Sequence, residues 1–203
     1  MFIKIKKLKI HIICLFLILL FASINFSVYM LILFLCIFIH ETGHIILIKI
    51  NKFKISSIEI LPFGINIKIN DNHLTSYKTD MIIAFSGSAA NIICAAVILL
   101  IIKLNGYHSI LVFTFLTNIL YAVINLFPVK SLDGGKILEI FFKIFIPENL
   151  SYIIFSIISS VFLGILSIFA FFILMITGYN FTLILLCCYL FYTIHFAPVQ
   201  KRK

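Results

Sequence analysis

Charge is what this 203-residue chain has least of: Asp, Glu, Lys and Arg make up 11% of it, and only seven residues are acidic. A soluble domain carries about 25% charged residues and about 45 to 50% apolar ones, so the 63% found here excludes an ordinary water-soluble fold. Tryptophan is absent, no internal repeat is visible, and no polar stretch is long enough for an appended soluble module. The five cysteines, Cys14, Cys36, Cys94, Cys187 and Cys188, all fall in apolar runs with no C-x-x-C spacing. They read as small packing residues and carry no redox message.

What remains is apolar sequence in lengths that cross a bilayer, for which a helix needs about 17 to 25 residues. Six candidate spans stand out, at about 9–25, 28–50, 80–103, 109–128, 150–175 and 180–197, with a mean hydropathy of +1.23 for the whole chain. The expected fold class is an all-α polytopic membrane protein, a single domain over residues 1–203. Basic residues in short loops stay on the cytoplasmic side. With both termini cytoplasmic, fifteen of the 16 Lys and Arg residues fall on that side, Lys103 being the exception. The net charge of +9 is thus accounted for by topology and anionic lipid headgroups, and nucleic acid is not an expected partner. A cleaved signal peptide over residues 1–23 is the rival reading of the basic start "KIKKLK".

Against that background "IFIHETGHIIL", residues 37–47, places three ionisable groups inside a membrane run. Such groups are costly in hydrocarbon and normally face a bundle interior or a wet cavity. On a helix, positions i and i+4 share a face, so His40 and His44 can ligate one metal ion with Glu41 beside it. Zinc suits this H-E-x-x-H arrangement: two imidazoles and a third protein ligand leave one position for water, which Glu41 can deprotonate. Gly43 allows another helix or a substrate strand to approach the same turn.

A third ligand should lie on the same side of the membrane. Of the seven acidic residues only Asp133 has a distinctive setting, "NLFPVKSLDGGKIL", residues 125–138, which follows a cytoplasmic connection. His40 and His44 precede Lys49 by five to nine residues, about 8 to 14 Å at 1.5 Å per residue, so sidedness agrees. The stretch "ISSIEILPFGINIKIN", residues 55–70, alternates Ile65, Ile67 and Ile69 with Asn66, Lys68 and Asn70, as a half-buried strand does. Broken at Pro62 and Gly64, it is expected to form a short β-hairpin at the membrane interface, whose free edge can align an extended substrate beside the metal. In the third span "SGSAAN" supplies Gly87, Ser88, Ala89 and Ala90 for close packing, and Asn91 as a residue able to orient a ligand or bound peptide.

The segments "IHETGH", "LPFG" and "NLFPVKSLDGGK", with "IKIH" before the first span, resemble the site-2 proteases, intramembrane zinc metalloproteases, and most closely their sporulation branch. The resemblance implies one Zn2+ per chain on His40, His44 and Asp133, Glu41 as catalytic base and acid, and Asn125 and Pro128 holding substrate. Phe63 and Gly64 of "LPFG", with Asn91, complete the candidate substrate-binding set. It also implies a membrane-associated substrate such as the pro-segment of a sporulation sigma factor, and membrane-protein inhibitors or regulators. The chain has Ile65, Ser88 and Ser131 where that branch usually has glycine, proline and proline, and no nucleotide-sensing CBS domain is expected after "PVQKRK". Two rival readings are a catalytically silent membrane scaffold and a metal-transporting bundle. The second would need polar residues along a whole path, and the extracellular half offers almost none.

Overall fold

Ser27 starts the first helix, because its extended backbone and its Oγ, which accepts from Tyr29 N at 3.3 Å, satisfy one of the donors a helix leaves unpaired. The structure, a computed structural model, describes residues 2–5, 8–11, 27–53, 55–61, 64–69, 76–178 and 181–196. The helix, α1 (Val28–Ile50), buries Ile32, Cys36, His40, His44 and Ile48, a stripe repeating every four residues. Its other faces expose Leu31, Phe34, Leu35, Phe38 and Ile46, as suits a helix whose solvent is lipid. It stops in a Schellman turn: Lys52 takes a left-handed φ of 60°, its N–H donates to Lys49 O at 2.9 Å, and Phe53 N donates to Ile48 O at 3.1 Å.

Five further helices follow among the described residues: α2 (Tyr77–Asn105), α3 (Ser109–Asn125), α4 (Asp133–Phe145), α5 (Glu148–Thr177) and α6 (Thr182–Phe196). Three segments, Val28–Ile50, Tyr77–Asn105 and Asn149–Thr177, are long and apolar enough to cross a membrane, whereas Ser109–Asn125 and Leu183–Tyr192 are shorter apolar helices. The chain is therefore a membrane protein with a mostly helical fold. The expected first span, 9–25, is altered at its start, because Leu8–His11 is a strand; its residues 12–25 lie outside the described part.

Four strands make one sheet, ordered β1 (Phe2–Ile5), β2 (Leu8–His11), β3 (Ile55–Leu61), β4 (Gly64–Ile69). β1 and β2 pair antiparallel from Phe2 opposite His11, β2 runs parallel to β3 with Lys9 opposite Glu59, and β3 and β4 pair antiparallel with a register shift between Ile55 and Ser57. Residues 62 and 63, between β3 and β4, are outside the described part.

By its internal packing the chain divides into two units. The first comprises Met1–Ser76 with Ser86–Val123, and so holds the sheet, α1, most of α2 and nearly all of α3. The second comprises Tyr77–Phe85 with Ile124–Lys203. Its core is apolar: Val129, Leu132, Leu163, Ala170, Cys187, Leu190 and Ile194 pack together. Within it, the turn ahead of α4 is anchored by Lys130 N donating to Ser159 Oγ at 2.8 Å. α5 ends at Gly178, whose φ of 72° favours glycine.

Candidate metal centre

The buried stripe of α1 is apolar or weakly polar until it reaches the ionisable pair, where His40 is 2% exposed and His44 9%. Their Nε2 atoms face each other at 3.2 Å, with ring centroids 4.8 Å apart and planes at 81°. Two Zn–N bonds of about 2.0 to 2.1 Å at a tetrahedral angle hold their nitrogens about 3.3 Å apart. The separation observed is therefore that of two ligands turned toward one ion, and the donor set suits zinc.

Both rings are held from the side by neighbours in the same unit. Ser86 Oγ lies 3.3 Å from His44 Nδ1, so with Nε2 reserved for a metal the Nδ1–H donates to the hydroxyl and fixes the tautomer. The Tyr121 ring meets His40 edge to face at 5.1 Å. Two glycines make the approach possible: a Cβ on Gly43 would collide with Ser86 O and Ala90 Cβ, and one on Gly87 would collide with the Nε2 atoms of both histidines. α2 thus presents bare backbone opposite the two Nε2 atoms, and any side chain at position 87 would crowd them. Glu41, one residue past His40 and about 100° further around the helix, is also buried.

Asn91 is fully buried and donates through Nδ2 to Cys36 O at 3.4 Å and to Cys36 Sγ at 3.1 Å, one turn ahead of His40. Its observed contact is thus with the backbone of the histidine helix. Of the "LPFG" residues, Gly64 opens β4 and Phe63 lies outside the described part. The remaining candidates belong to the second unit. Asn125 closes α3 and Pro128 lies in the turn three residues on, both half-buried, in line with a helix that stops short of a proline. Asp133 is the first residue of α4 and is 4% exposed. A carboxylate there is favoured by the helix N-terminus, and Lys136 Nζ pairs with its Oδ1 at 3.0 Å. A Cβ on Gly134 would strike the backbone of Leu126, so the turn before α4 closes only over glycine.

Ser86 and Tyr121 escaped the reading of the sequence. Ser86 begins the small-residue run that was read for packing alone, and its position one residue before Gly87 was the available signal.

A helix-borne histidine pair of this kind, with an acidic neighbour inside a membrane span, defines a class of metal-dependent membrane hydrolases. The family model for peptidase family M50 matches residues 28–108 and 103–169, more than half of the chain, and the chain belongs to that family. It is 30% identical over 120 residues to the stage IV sporulation protein FB of Bacillus subtilis, covering 58% of this chain and 41% of that protein. It is likewise 30% identical over 122 residues to a zinc metalloprotease of Methanocaldococcus jannaschii, covering 58% of this chain and 35% of the relative. The match thus spans less than half the length of either relative. The solved structure of the site-2 protease from Methanocaldococcus jannaschii superposes with a TM-score of 0.63 at 23% identity, covering 99% of this chain and 96% of that one, and supports the fold.

Proposed function

We propose that the chain is an intramembrane zinc endopeptidase, acting as one protease domain. The observation that carries this reading is the pair of Nε2 atoms 3.2 Å apart, buried on a membrane-length helix with Glu41 next to them. His40 and His44 hold the ion, with Asp133 as third ligand; all three are buried, and their types complete a two-nitrogen, one-oxygen set. When bound there, zinc would supply Lewis acidity for a water and for the scissile carbonyl. Glu41, beside the two imidazoles, would take a proton from an attacking water and deliver it to the leaving amine. Ser86 keeps the His44 ring in the tautomer that leaves Nε2 unprotonated.

A substrate helix has no unpaired backbone to cut, so it must unwind before reaching the site. The sheet is suited to receive it: a released strand pairs with the outer edge of β4, which no other described strand occupies and into which "LPFG", with Phe63 and Gly64, leads, while Asn125 and Pro128 hold the chain near the metal and Asn91, buried against Cys36, steadies the histidine helix. With six spans and both termini in the cytoplasm, the site opens to the cytoplasmic face. The stage IV sporulation relative favours a membrane-associated regulatory substrate, in particular the pro-segment of a sporulation sigma factor, with membrane proteins as regulators.

The test is an immunoblot of a tagged, membrane-tethered pro-sigma factor co-expressed with the wild type or with Glu41→Gln in a non-sporulating host. A shortened product with the wild type alone, at equal enzyme level, is expected. Equal processing by both refutes the assignment of Glu41.

A further inference from the structure

One turn along α1 from His40, away from His44, the interior of the first unit holds two amide side chains with unused acceptors. Asn91 and Asn118 are 0% and 1% exposed. Asn91 Nδ2 donates to Cys36 O and Sγ, and Asn118 Nδ2 donates to Thr114 O at 2.9 Å. These bonds fix both amides, because turning either over would set its oxygen against a backbone carbonyl oxygen. Each Oδ1 atom then accepts no hydrogen bond from the described residues. A buried amide oxygen left so bears its full desolvation cost, more so inside a membrane.

The two amides belong to one place. Ser88 Oγ donates to Ala122 O at 3.3 Å, so positions 88 and 122 face one another across α2 and α3, which a three-residue connection makes antiparallel. Three residues onward along α2 is Asn91 and four residues back along α3 is Asn118, each one turn away on the same face. α1 forms the third wall, since the Cys36 thiol donates to Thr117 O at 3.7 Å, next to Asn118.

We infer that Asn91 and Asn118 bind an internal water molecule where α1, α2 and α3 meet, each Oδ1 accepting one of its hydrogens. Two acceptors on adjacent helices suit a water, which needs two to four polar partners. A hard cation takes about six oxygens and favours carboxylates. Here no carboxylate is among the groups named, and the carbonyls of Cys36 and Thr114 already accept hydrogen bonds. The water joins α2, whose Asn91 is bonded to the histidine helix at Cys36, to α3, whose Tyr121 lies one turn from Asn118 and against the His40 ring. The inference is independent of the zinc and peptidase reading.

Pulsed X-ray hydroxyl-radical oxidation of the full chain in lipid nanodiscs, read by mass spectrometry at each cysteine, tests it. Cys36 is 1% exposed and Cys187, in the apolar core of the second unit, is 5% exposed, so reach from outside gives Cys36 no advantage. An internal water beside its thiol makes Cys36 oxidise several-fold faster than Cys187, and Asn118→Leu brings it down to the Cys187 rate. The wild-type comparison stands even where the variant does not fold. Cys36 no faster than Cys187 in the wild type overturns the inference, as does fast oxidation that persists in a folded Asn118→Leu protein. Oxidation of Cys36 that rises when sodium is replaced by choline assigns the place to a cation and overturns it equally.

Discussion

The two units bury different things. In the first, the buried polar positions include His40, Glu41, His44, Ser86, Ser88, Asn91 and Asn118; in the second, Val129, Leu132, Leu163, Ala170, Leu190 and Ile194 make an apolar core, and the buried polar residues among those described are Asp133, Ser151 and Ser159. Lipid is as apolar as leucine, so helices inside a bilayer gain no transfer energy by hiding leucine and are held by close packing, of leucine included, and by hydrogen bonds. A unit can therefore place polar residues inside at small cost to cohesion, provided glycine and serine bring the backbones together, as Gly43 and Gly87 do. The difference teaches where chemistry is affordable in such a protein: at a polar, closely packed seam, with an apolar unit beside it in sequence to carry stability.

The comparison breaks most sharply at the ligands. His44→Ala removes one of the two facing nitrogens, and the expected outcome is loss of nearly all bound zinc on metal analysis, with the fold retained by circular dichroism. Leu190→Ala, in the apolar unit, should do the reverse. A buried leucine cut to alanine leaves a cavity, and the lost packing alone costs about 1 to 3 kcal/mol, seen as a lower thermal midpoint in detergent, while zinc content per folded chain stays at the wild-type value. Ser86→Ala takes away the partner of His44 Nδ1, and zinc affinity should fall about 10- to 100-fold in a chelator competition, with little change in unfolding. The smallest effect is expected at Lys52, whose positive φ strains any residue with a Cβ: Lys52→Gly should stabilise the end of α1 by about 1 kcal/mol, read as slower amide exchange there.

Much of the site was legible because its chemistry is local. His40, Glu41 and His44 fall within five residues of one helix, and the bare spacing placed both imidazoles on one face. What was not legible depends on contacts between distant segments: Ser86 is 42 residues from His44, and nothing in "SGSAAN" says which of its two serines meets a ring. The strands β1 and β2 were missed for another reason. "LKIH" alternates apolar and polar residues, a strand signal, but the apolar run that follows drew residues 9–11 into a helix. The sheet order could not be read at all, since pairing β2 parallel to β3 joins segments more than forty residues apart.

The central claim is that His40 and His44 hold a zinc ion beside Glu41, and the most direct measurement is zinc per folded chain by mass spectrometry. It should be made on the wild type, on the His40→Ala/His44→Ala double variant, and on Glu41→Gln. The account predicts about one ion, almost none, and about one again, since Glu41 acts on water and does not ligate. Zinc retained by the double variant, or lost with Glu41→Gln, would contradict it.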